Sequence, residues 1–300
     1  MRNTFINTVS ELAAKDSRIV FFTGDLGYSV LEDFAEKYPS RFYNFGVSEQ
    51  NMVGAAAGMA LCGKKVISYS IATFACKRPY EQIRVDVAFQ KADVKIVGVG
   101  GGYPYGSLGP THHATEDIAI MRSLPNMVVL CPGDPVEAEI MTKAALAHDG
   151  PVYLRLGKGG EETVHKGEPA FSLGKAITLQ EGTGTTVIST GGCLAMVAAA
   201  VKQIPNARFL SMPCVKPIDK EAILAAAKET KHIIVVEEHQ GMGGFGSAVA
   251  EVLAPLPTHA PLTQIAVPDR FMDEAGSQEH LRGVAGITVE KIVQSAQRFG

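Results

Sequence analysis

Twelve consecutive residues, Met52 to Gly63, carry no charge and are mostly Gly, Ala and Met. The run is too short to span a bilayer, which takes about 20 residues. Its glycines weaken an isolated helix but let another backbone come close. Such a helix is expected to be buried on all sides. Immediately before it stands Gly46-Val47-Ser48-Glu49-Gln50-Asn51. Ser48 can serve as N-cap, and Glu49 then falls in the first turn, where the helix dipole favours an anion. A carboxylate at the mouth of an apolar helix is either an ordinary capping group or a functional one.

Length and composition narrow the choices. The chain has 300 residues, 46% hydrophobic and 20% charged, with a formal charge of −3. That allows one large or two ordinary domains and gives no basic excess for nucleic acid. Residues 1–18 mix Glu11, Lys15 and Asp16 with apolar residues and read as a helix rather than a signal peptide. Five scattered cysteines without Cys-x-x-Cys point to neither a disulfide framework nor a zinc site, and a cytoplasmic location is expected.

Apolar runs alternate with helical stretches. Strands are expected at Arg18–Thr23, Arg41–Phe45, Lys65–Tyr69, Val94–Val99, Pro125–Leu130 and Pro151–Leu156. Asp134-Pro135 opens a helix with Asp as N-cap and Pro in the first position. A second series of strands runs through 186–189, 207–212, 232–237 and 262–266, with helices near 193–204, 219–228, 243–254 and 287–298. This is an α/β pattern of two doubly wound domains. The expected division is 1–160, a linker at 161–184, and 185–300.

Candidate residues gather after strands. Asp25 sits in Gly24-Asp25-Leu26-Gly27, where function and turn chemistry are both common. Phe74 follows a strand on an expected turn, and Tyr80 enters a helix. Gly109-Pro110-Thr111-His112-His113 ends a long glycine-rich loop with no dinucleotide signature. The His pair lacks other ligands at metal spacing. Glu237-Glu238-His239 before Gly241–Gly246 is also a fair active-site pattern.

Taken together, Gly46–Met52 and Gly109–His113 resemble the transketolase family of thiamine-diphosphate enzymes. The resemblance implies a pyrimidine-binding domain followed by a transketolase C-terminal domain. It implies that Glu49 holds the cofactor's aminopyrimidine, where a desolvated carboxylate shares a proton most readily. Phe74 would lie against the pyrimidine face, with Asp25 and Tyr80 near the cofactor. His112 would bond substrate hydroxyls and carry protons, which imidazole does near neutrality. Arg155, Ser29 and Arg2 match substrate-binding positions. Glu237-Glu238-His239 falls in the C-terminal domain, which packs the dimer and holds no cofactor chemistry.

Two family positions differ. Leu108 stands where an Asp reads a substrate hydroxyl, and a second His is missing near Gly100, so the substrate is expected to be altered. The diphosphate-binding Gly-Asp-Gly…Asn motif is absent, so Mg2+ and the diphosphate are expected to be held mainly by a partner chain. The expected enzyme is a split transketolase, two of this C-terminal subunit with two of an N-terminal subunit, transferring a two-carbon ketol unit. The β subunit of a 2-oxoacid dehydrogenase and a non-catalytic regulatory subunit are the alternatives.

Overall fold

The structure, a computed structural model, describes residues 1–298. Strands β1 (Ile19–Thr23), β2 (Phe42–Asn44), β3 (Lys65–Ile71), β4 (Val94–Val99), β5 (Val128–Leu130) and β6 (Val152–Leu156) form a parallel sheet in the order β5-β6-β4-β3-β1-β2. β4 is buried along its whole length, as a parallel strand covered on both faces must be. Helices α1 (Arg2–Lys15), α2 (Glu32–Lys37), α3 (Glu49–Leu61), α4 (Ala72–Lys77), α5 (Tyr80–Gln82), α6 (Asp117–Ser123) and α7 (Pro135–Ala147) connect and cover these strands. α1 and α7 share one apolar cluster, through Phe5, Val9, Ala138 and Met141. α3 joins a separate cluster through Met52, Val53, Ala56 and Ala57.

Local chemistry sets the helix starts. Asp134 accepts from Glu137 N at 2.9 Å and caps α7 as expected. α3 departs from expectation twice. Ser48 Oγ donates to Phe45 O and makes no side-chain cap. Nor is α3 buried on all sides. Gly58 and Leu61 are exposed, and a Cβ added at Gly54 or Gly58 would meet no atom of the described residues within 4 Å. Phe74 lies within α4 rather than on a turn, and the helix containing Asp117 starts only there.

Strands β7 (Ile177–Gln180), β8 (Thr185–Ser189), β9 (Arg208–Ser211), β10 (Cys214–Lys216), β11 (His232–Gln240) and β12 (Leu262–Val267) follow. The second sheet has the order β12-β11-β8-β9-β7. β7, inside the stretch expected to be linker, pairs antiparallel with β9. β10 leaves its neighbours and pairs antiparallel with β5 in the first sheet. Helices α8 (Leu194–Val201), α9 (Lys220–Glu229), α10 (Phe245–Leu253), α11 (Gln278–Ala285) and α12 (Val289–Gln297) complete this half.

The Glu-Glu-His run at the end of β11 is structural. Buried Glu237 accepts from Phe245 N and Gly246 N at the start of α10. Buried Glu238 accepts from Tyr103 N and pairs with Arg282. His239 Nε2 lies 3.2 Å from Ala119 N of the first half. Glu238 and His239 join the two halves, and both carboxylates are engaged in holding the fold.

Candidate active site

α3 begins where the chain turns back beside the C-terminal ends of β1 and β3, so Glu49 is carried to the end of the sheet where ligands bind in open α/β folds. Its side chain is 3% exposed. A carboxylate so buried needs a partner, and Arg78 supplies it: Nη1 donates to Oε1 and Oε2, both at 3.0 Å. Arg78 comes from the end of α4. Its guanidinium also lies over the Phe74 ring, 4.1 Å from the centroid. Sequence reasoning missed Arg78, because Cys76-Lys77-Arg78 reads as an ordinary exposed helix end.

The glycine loop delivers His112 to the same place. Its ring stands edge-on to Phe74 at 5.1 Å and 6.3 Å from Tyr105. Burial first, and Arg78 second, hold its pKa below 6.5. The imidazole is therefore neutral near pH 7 and able to accept a proton. The neighbouring His113 turns inward, buried and edge-on to Tyr103 at 5.1 Å.

Beyond His112 the surroundings are cationic. Lys158 Nζ lies 4.8 Å from the Tyr105 ring centroid. Burial pushes the Tyr105 hydroxyl up, and half-buried Arg2 opposes it. Arg2 Nε and Tyr69 Oη are buried and have no hydrogen-bond partner among the described residues. Arg2 and Tyr105 both act electrostatically on Tyr69. Buried polar atoms left unpaired are uncommon, and such atoms suit a polar ligand. Asp25 and Ser29 occupy the loop after β1, both at positive φ, 57° and 62°. Asp25 is exposed and bonded to Asn44, and Ser29 N donates to Glu32. Non-glycine residues in that region cost about 1–3 kcal/mol each and gather at functional loops.

Two expected residues are occupied elsewhere. Tyr80 Oη donates to Ile120 O and ties α5 to α6. Arg155 is 4% exposed, paired with Asp117 and donating to Ala114 O and Glu238 O. Its Nε and Nη2 clasp the two halves together. Among the described residues, no group of three or more His, Cys, Asp or Glu could hold a metal ion.

The donor set suits an aminopyrimidine. A buried carboxylate already takes N–H bonds from a flat, nitrogen-rich group lying on an aromatic face.

The model of the transketolase pyrimidine-binding domain matches residues 1–160, and that of the transketolase C-terminal domain matches residues 174–292. The chain belongs to the transketolase family. It is 39% identical to an apulose-4-phosphate transketolase subunit of Phocaeicola vulgatus, covering 99% of this chain and 96% of that protein. It is 36% identical to the 6-deoxy-6-sulfo-D-fructose transketolase subunit SqwH of Clostridium sp., covering 99% and 93%. Its fold is similar to a solved "Split gene transketolase, inactive beta4 tetramer", with a TM-score of 0.91 and 35% identity over 99% of this chain and 97% of that one. The family's two domains account for both halves of this fold, and its chemistry is that of a transketolase-type transferase.

Proposed function

We propose that this chain is the C-terminal subunit of a split transketolase and transfers a two-carbon ketol unit from an anionic ketose to an aldose. The observation that carries the reading is buried Glu49 and the Phe74 ring meeting at one guanidinium, with His112 edge-on to Phe74. Thiamine diphosphate, when bound, supplies the carbanion chemistry. Glu49 would hold a ring nitrogen of its pyrimidine, and Phe74 would face the ring. Asp25, at the strained loop after β1, is the next candidate for the cofactor, with Tyr80 a structural neighbour. His112, neutral at pH 7, would bind a substrate hydroxyl and move its proton.

Arg2, Lys158 and Ser29 would meet the substrate's anionic end. The Nε of Arg2 and the exposed Lys158 support this, beside Arg155, whose Nε and Nη2 already bond within the protein. Two of the relatives are named for ketoses with an anionic terminus, apulose 4-phosphate and a sulfonated fructose. The exposed, apolar Leu108 favours a substrate other than the common sugar phosphates.

The diphosphate and Mg2+ would be held by an N-terminal subunit carrying Gly-Asp-Gly…Asn. The open glycine face of α3 offers a surface for the assembly, two of each chain. Five free cysteines suit a reducing cytoplasm, and none of the described helices is long and apolar enough to cross a membrane.

The test is to purify the chain alone and with the protein that co-purifies with it. Thiamine diphosphate and Mg2+ are added and ketol transfer is assayed. Activity is expected only in the mixture. Full turnover by the single chain would overturn the two-chain reading.

A further inference from the structure

The Arg78 guanidinium does three things at once. It satisfies both oxygens of a carboxylate that is 3% exposed, it covers the face of Phe74, and it adds positive charge beside His112. Its side chain is 45% exposed. It therefore has room to swing outward without disturbing the core.

We propose that Arg78 is a displaceable occupant of the pyrimidine subsite, so that cofactor affinity is set by an internal competition between its guanidinium and the incoming ring. This rests on the pyrimidine-site reading of Glu49 and Phe74 above. A buried carboxylate left alone is costly. Arg78 removes that cost while the ring is away. The ring must match the two N–H bonds to Glu49 and the contact with Phe74 before it gains anything further. The competition makes weak, pyrimidine-only binding unproductive. Binding becomes favourable when a second handle, the diphosphate on a partner chain, adds to it. Arg78 thus acts as a specificity residue, one that discriminates the complete cofactor in an assembled enzyme from fragments of it.

The probe is thiamine, which carries the pyrimidine but no diphosphate. Its affinity is measured by calorimetry on the full chain, alone and in complex with its partner. Arg78→Ala is expected to bind thiamine roughly three- to thirtyfold more tightly than the wild type, the range that one half-exposed ion pair and one cation–π contact supply. Arg78→Lys keeps the charge but not the flat stack, and its affinity should fall between the two. A second readout is melting temperature. Without ligand, Arg78→Ala should melt below the wild type, and thiamine should raise its melting temperature by more than it raises that of the wild type. If both variants are folded and bind thiamine no more tightly than the wild type, the competition does not exist. The underlying reading fails separately. If Glu49→Ala leaves thiamine-diphosphate binding and turnover of the assembled enzyme unchanged, the pyrimidine site itself is misplaced.

Discussion

Arg155 Nε donates to Asp117 Oδ2 at 2.7 Å, and neither side chain is more than 4% exposed. Burial alone would raise the carboxyl's pKa, but Arg155 and the Tyr153 hydroxyl reverse this and hold it below 3.8. Because the folded-state pKa is depressed, the pair's stabilisation is present above the unfolded value and lost as pH falls through the folded one. Asp117→Asn leaves the buried guanidinium uncompensated, and about 3–5 kcal/mol of stability should be lost. Urea unfolding at pH 7 measures this, and the variant should lose less stability than the wild type on acidification below about pH 4, where the unfolded chain's carboxylate begins to take up a proton.

Glu49→Gln should fold normally, since the amide can still accept from Arg78. In the assembled enzyme it should reduce turnover by about 10²–10⁴, the usual contribution of a positioned proton-transfer group. Steady-state ketol transfer and exchange of the cofactor's acidic C–H proton are the measurements. Near-normal values in both would remove Glu49 from the chemistry.

The His112 imidazole should titrate below pH 6.5 in the free chain, by proton NMR of its ring. Arg78→Ala removes one of the two causes and leaves burial. The midpoint should rise in that variant without reaching 6.5. A midpoint unmoved by the substitution would show that Arg78 lies too far away to matter.

Leu108 is 54% exposed close to the His112 turn. Turnover of xylulose 5-phosphate with ribose 5-phosphate should be weak. Leu108→Asp should improve it about two- to tenfold, the worth of one hydroxyl hydrogen bond. Comparison with a sulfonated or branched ketose in the same assay decides the matter. Equal wild-type rates on all of them would refute the specificity assignment.

A Cβ at Gly58 meets no atom of the described residues within 4 Å. Gly58→Ala should therefore stabilise α3 by roughly 0.5–1 kcal/mol in the isolated chain. Gly58→Phe should leave the fold intact but weaken assembly, seen by sedimentation. A variant that assembles as well as the wild type would exclude this face from the interface.

Much of this was visible in the residues themselves. Val94–Val99 is aliphatic but for Lys95 and Gly98, and it is the buried strand that such a run promises. Glu49 announced its position because a charge stood at the head of an uncharged run. His112 was distinguishable from His113 only through the family motif, since periodicity says nothing of which ring turns inward. Arg78 was invisible for a physical reason: its partners, Glu49 and Phe74, lie 29 and 4 residues away, and only the fold brings them to one guanidinium. Arg155 in an apolar strand signalled a buried ion pair, yet nothing local named Asp117 as its counter-charge. β10, three residues long, carries too short a pattern to be read at all.

That short strand has a consequence for how the gene can be cut. Cys214–Lys216 closes the open edge beside β5, so the first sheet is finished by residues translated well after it. A fragment ending near residue 160 would present the bare β5 edge, inviting intermolecular strand pairing. The two halves should therefore melt as one unit. Chimaeras that exchange the first half between relatives would need to carry a matching 214–216 segment, or accept an edge that recruits strangers.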